Sequence, residues 1–91
     1  MQEAIKAGRI RFRLHALDEL ADEGLLPGDA LNCILTGEII EDQYDATYQQ
    51  VKYVIFGDSL GGLEMGVVGR WDDYRNVVII TAYQLQIDDY D

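Results

Sequence analysis

At 91 residues, 48% of them hydrophobic, the chain suits one domain with a modest core and is too apolar for a disordered segment. Seven Lys and Arg stand against seventeen Asp and Glu, a net charge of -10. That argues against a general nucleic-acid binder, because a negative field repels phosphates and few cations remain to neutralise them.

Cys33 is the single cysteine, so neither an internal disulfide nor a thiolate metal cluster is expected. The natural compartment is a reducing cytoplasm. No apolar run approaches the roughly 20 residues that span a bilayer. The start, Met1-Gln2-Glu3-Ala4, lacks the basic head and apolar stretch of a signal peptide. No membrane association is expected.

In chain order, residues 2–8 read as a short helical turn stopped by Gly8. Residues 9–13 alternate basic and apolar side chains, Arg9-Ile10-Arg11-Phe12-Arg13, which suits a short strand with one apolar face. From Leu14 the period becomes helical. Leu14, Leu17, Leu20 and Ala21 form the expected inner stripe, with Asp18, Glu19, Asp22 and Glu23 mostly outward. Gly24 stops that helix. Pro27 suits the first turn of a second, whose stripe is Ala30, Leu31, Ile34 and Leu35, ended by Gly37.

Beyond Gly37 the pattern predicts strands over 38–43, 48–56, a stretch carrying Leu63, Met65 and Val67 on one face, and 77–84. Asp72-Asp73-Tyr74-Arg75 is a polar turn. The run Val77-Val78-Ile79-Ile80 is apolar on both faces, so this strand belongs inside a sheet. A strand at 9–13 pairing beside it would supply the missing neighbour.

Three segments carry a family resemblance. They are Arg13-Leu14-His15-Ala16, Gly37-Glu38-Ile39-Ile40-Glu41, and Ile79-Ile80-Thr81-Ala82-Tyr83. Together they resemble the prokaryotic family known as domain of unknown function 4258, from about residue 10 to residue 84. In layout that family is similar to the RelE and BrnT toxins, small ribonucleases of toxin–antitoxin systems. The resemblance implies an α+β fold: two N-terminal helices packed on a twisted antiparallel sheet of about four to five strands. The whole chain, 1–91, is expected to be one domain with an acidic tail at 87–91. Two departures stand out. Glu19 and Glu23 occupy positions where family helices carry arginines, and Gly66 stands where many members have a strand histidine. Reversed charge at the first pair would turn phosphate attraction into repulsion.

The candidate catalytic residues are His15, Thr81 and Tyr83, and the candidate substrate-binding residues are Arg9, Arg11 and Arg13. An imidazole titrates near neutrality and suits general acid–base work. Metal-free RNA cleavage needs a base, an acid and a cation for the phosphorane, which this set contains. The plainer reading is that His15 is a helix-start residue bonded to its surroundings. Tyr83 then serves as an amphipathic wall residue. Cys33, among Leu31, Ile34 and Leu35, is expected to act as a small hydrophobe. The carboxylates at 18–23 and 72–73 match neither a calcium loop nor a zinc site. No metal or cofactor is expected.

These observations favour a non-catalytic protein-interaction module that keeps a toxin-like fold. The alternative is a metal-independent endoribonuclease built on His15 and the 9–13 arm. Six tyrosines and Trp71 point to a homodimer or another protein partner, through the sheet face or an edge strand. RNA is disfavoured by charge, and DNA is not expected.

Overall fold

The computed structural model describes residues 1–85. The acidic tail at 87–91, with Tyr90, lies outside the described residues. The elements are α1 (Gln2–Lys6), β1 (Ile10–Phe12), α2 (Leu14–Asp22), α3 (Pro27–Thr36), β2 (Glu38–Asp45), β3 (Gln50–Asp58), β4 (Glu64–Trp71) and β5 (Val77–Gln84). Pro27 opens α3 with its fixed φ. Gly24, at φ 71°, lets the chain reverse after α2.

The strands form one sheet in the order β1-β5-β4-β3-β2. The arm at 9–13 does pair beside the last strand, as its alternation requires. It runs parallel to β5, with Ile10, Arg11 and Phe12 opposite Val77, Val78 and Ile79. The sheet is therefore mixed, a correction to the antiparallel sheet expected. Alternation says which side chains face inward but is silent on direction, and the long link from β1 to β5 permits either. The helix count is also corrected, since α1 joins α2 and α3.

One hydrophobic cluster joins the elements. The helices supply Ala4, Ile5, Ala16, Leu20, Ala30, Cys33 and Ile34, and the strands supply Ile55, Met65, Val67, Val77, Ile79 and Ala82. The α2 stripe differs from the one expected. Leu14 is 73% exposed and Ala21 is exposed, while Ala16 and Leu20 are buried. Ala16 and Leu20 are one helical turn apart, and α2 packs mainly on β5. One narrow contact line suffices there, and the small Ala16 lets the helix come close. Leu31 and Leu35 of α3 are only partly buried against the cluster.

Two bulges set the sheet's faces. In β5, Val68 pairs with Thr81 but Gly69 pairs with Ile79, so Ile80 is an extra residue. Val77, Ile79 and Ala82 consequently face the core, while Val78, Thr81 and Tyr83 share the opposite face. Val78 and Val54 are buried yet stand outside the core cluster, as that opposite face requires. In β2, the pairing shifts between Ile39 and Glu41, leaving Ile40 unpaired.

The β2–β3 hairpin is longer and later than expected because Asp45 organises its turn. Its carboxylate accepts the N–H groups of Thr47 and Tyr48. A second clamp holds the β3–β4 loop to α3. The carboxylate of buried Asp29 accepts the N–H of Leu26 at 2.7 Å and that of Leu60 at 2.9 Å. Asn32 donates to the carbonyls of Asp58 and Ser59.

Candidate functional site

The backbone of β1 is pinned to β5. Val77 donates its N–H to the Arg9 carbonyl, and Arg13 donates to the Ile79 carbonyl, both at 2.9 Å. Alternation then turns Ile10 and Phe12 toward the core and sends the arginines outward. The three arginines reach three different places. Arg9 lines a cleft of about 700 Å³ beside Trp71 and Arg75. Arg11 donates to the Asp72 carboxylate at 3.4 Å. Arg13 lines a shallow hollow with Leu14, His15 and Ile80.

Asp72 closes the β4–β5 turn. Burial of its side chain opposes the charged form. Hydrogen bonds from the Asn76 N–H and amide, the Tyr74 N–H and Arg11 outweigh that and hold its carboxyl at about 2. The middle of the basic arm thus braces a turn.

His15 sits in the first turn of α2, with its side chain 69% exposed and Nε2 3.3 Å from Oε2 of Glu19. The other oxygen of Glu19 accepts the Ala82 N–H at 3.2 Å. One turn further along α2, Glu23 accepts the Gln84 N–H at 2.6 Å. Glu19 and Glu23 were expected to face mostly outward. They instead satisfy two donors of β5 that lie beyond the last residue of β1. Two carboxylates one helical turn apart read in sequence as a solvated face. Only the shortness of β1 relative to β5 reveals the bonds they make.

Thr81 and Tyr83 lie side by side on the sheet face opposite the core, and neither lines the cleft or the hollow. Tyr83 pairs with Gly66, and its ring lies over that glycine. A Cβ on Gly66 would come within 2.4 Å of the ring. The phenol is pushed above its usual value by burial first, with Cys33 and Glu41 adding to it. It therefore holds its proton. Cys33 is fully buried, its thiol 3.5 Å from the Met65 carbonyl, and burial pushes it up to about 11. That is the environment of a packing cysteine.

The same face carries two cations that sequence reasoning did not single out, Arg70 and Lys52, in line with Arg11. Arg11 and Arg70 both pair with Val78, and Lys52, just before Tyr53, and Arg70, just after Gly69, adjoin the antiparallel Tyr53–Gly69 pair at the same end. Arg11, Arg70 and Lys52 thus lie in one row. Lys52 bonds to Asp45 at 3.1 Å. Among the described residues, no group of His, Cys, Asp and Glu is gathered in the way a metal ion needs. Among the described residues, no helix is long and apolar enough to cross a membrane.

Among the described residues these features define an α+β domain of three helices and a five-stranded mixed sheet. Residues 12–84 match the model of a family described as Domain of unknown function (DUF4258), and the chain belongs to that family. The match runs from the end of β1 to the end of β5. No curated protein and no solved structure matches the chain.

Proposed function

We propose that this chain is a cytoplasmic, non-catalytic protein-interaction module that keeps a layout similar to the RelE and BrnT toxins. The observation that carries this reading is the engagement of the expected reactive groups. Arg11 is bonded to Asp72, and Glu19 stands between His15 and the backbone of β5. Acid occupies the positions where family helices carry arginines, so the surroundings of His15 disfavour a phosphate. The opposite side of the sheet supplies what an interaction module needs. β2 is a terminal strand, exposed from Glu38 to Tyr44. Such an edge admits a second copy of the chain or another protein.

A second reading is supported by the cation row. A metal-independent endoribonuclease would use His15, Thr81 and Tyr83 as reacting groups. The arm from Arg9 to Arg13 would supply the phosphate contacts, with Arg70 and Lys52 continuing the row from Arg11 on the sheet face that carries Thr81 and Tyr83. One experiment separates the two. Purified protein is incubated with generic single-stranded RNA at physiological salt. The interaction reading expects neither a gel shift at low micromolar protein nor cleavage, because strong nonspecific binding takes roughly six or more phosphate contacts. Cleavage that disappears in a folded His15→Ala variant establishes the ribonuclease.

A further inference from the structure

We infer that the β2 edge binds an extended, cationic segment of another protein, which adds to the sheet as a further strand. This rests on the interaction reading and names the chemistry of the partner.

The two sides of the sheet end differently. At the β5 side, β1 covers the first half of the strand and Glu19 and Glu23 take up N–H groups beyond it. At the other side nothing covers β2 in the chain as described. The register gives β2 two unlike faces. Ile39, Asp42 and Tyr44 lie opposite Ile55, Tyr53 and Val51, on the helix side of the sheet. Glu41, Gln43 and Asp45 lie opposite Val54, Lys52 and Gln50, on the other.

On the helix side the sheet outruns the helices. Ile39 is 52% exposed and Tyr44 65%, and Val51 and Trp71 are exposed beside them. This apolar shelf leads into the cleft, which Ile39 and Trp71 both line. On the strand as a whole the charge is negative. Of Glu38, Glu41, Asp42 and Asp45, only Asp45 has an ion-pair partner among the described residues.

That charge pattern selects the occupant. Suppose a second copy paired its β2 antiparallel along the full strand. Glu38 would face the other copy's Asp45, and Glu41 the other copy's Asp42. Centring the pair on Gln43 sets Glu41 against Asp45. Like charges directly opposite destabilise a strand pair. A segment with Lys or Arg alternating with apolar residues has no such conflict. Its cations meet Glu41 and its neighbours, and its apolar side chains cover Ile39 and Tyr44. Backbone pairing supplies affinity and the alternating side chains supply selectivity.

The test uses a synthetic peptide of alternating Lys and Val, about eight residues long to match a strand. An alternating Glu and Val peptide and a block Lys–Val peptide of the same composition are the controls. Trp71 is the only tryptophan, and its fluorescence reports binding while amide shifts locate it. The alternating Lys peptide should bind, perturb residues 38–45, and weaken as salt rises. The Glu41→Lys, Asp42→Lys double variant should bind at least about tenfold more weakly. If that variant unfolds, Glu41→Gln, Asp42→Asn replaces it, with the same direction of change. Equal binding of the Glu peptide, shifts confined to other strands, or no binding of the Lys peptide overturns the inference. A dimer that protects the β2 amides also overturns it, yet leaves the interaction reading standing. His15-dependent RNA cleavage is the separate result that removes the reading itself.

Discussion

The Glu19 carboxylate accepts the main-chain N–H of Ala82 at 3.2 Å, linking α2 to the half of β5 that β1 does not reach. A helix side chain here does the work of a missing strand. Glu19→Ala should therefore lower stability by about 1 kcal/mol, and Glu23→Ala by a similar amount, since charged acceptors of backbone N–H groups contribute on that scale when partly exposed. Amide exchange should speed up selectively at Ala82 and Gln84. Unchanged protection at those two amides would show that water serves equally well.

The second prediction concerns Gly66 and Tyr83. The tyrosine ring occupies the space that any Cβ at position 66 would need. Gly66→Ala should cost about 1–3 kcal/mol through overpacking unless the ring swings away. Combining it with Tyr83→Ala removes the obstacle, so the two changes should be strongly non-additive in urea unfolding. Additive effects would sink the idea.

Acid stability follows from Asp72 and Asp45. Both carboxyls are lowered in the fold, Asp72 to about 2 and Asp45 chiefly through its bond with Lys52. A carboxyl lowered on folding contributes stability that is present above its unfolded value, about 3.9. That contribution is lost as pH falls through the folded value, because the unfolded chain takes up protons first. Stability should decline between about pH 4 and pH 2. Asp72→Asn should flatten the decline, which acid titration followed by circular dichroism will show. An unaltered profile in that variant would assign the loss to other groups.

A fourth prediction follows from Asp29, whose two oxygens hold the N–H groups of Leu26 and Leu60. Asp29→Ala leaves both donors without that acceptor and should cost about 2–3 kcal/mol. Limited proteolysis should then cut first in the loop at 59–63. Cleavage elsewhere would mean the loop is secured by Asn32 alone.

Side-chain alternation made much of the sheet legible. The basic–apolar arm and the two-sided apolar run of β5 together placed β1 beside β5. Direction was not legible, since a strand pattern reads the same for parallel and antiparallel neighbours. The α2 stripe was read toward Leu14 because leucine is the stronger apolar signal. The helix instead packs through Ala16, whose value lies in its small size. The candidate site was legible as a residue set but not as a place. Arg9, Arg11 and Arg13 share a strand face in sequence, yet Asp72 holds the middle one, and only the folded turn reveals that. The acidic clamp of Glu19 and Glu23 depends on a difference in length between two strands far apart in the chain.

The extra residue at Ile80 makes β5 two strands in series with opposite phase. Delete it, and Ile79 and Thr81 become consecutive residues opposite Gly69 and Val68, which are already consecutive, so the strand regains plain alternation and every side chain from Thr81 to Gln84 keeps its side. A deletion at Ala82 has no spare residue to absorb it and puts Tyr83 on the core side. The tolerance of this strand to changes in length is therefore sharply local, like a reading frame with one fixed punctuation mark.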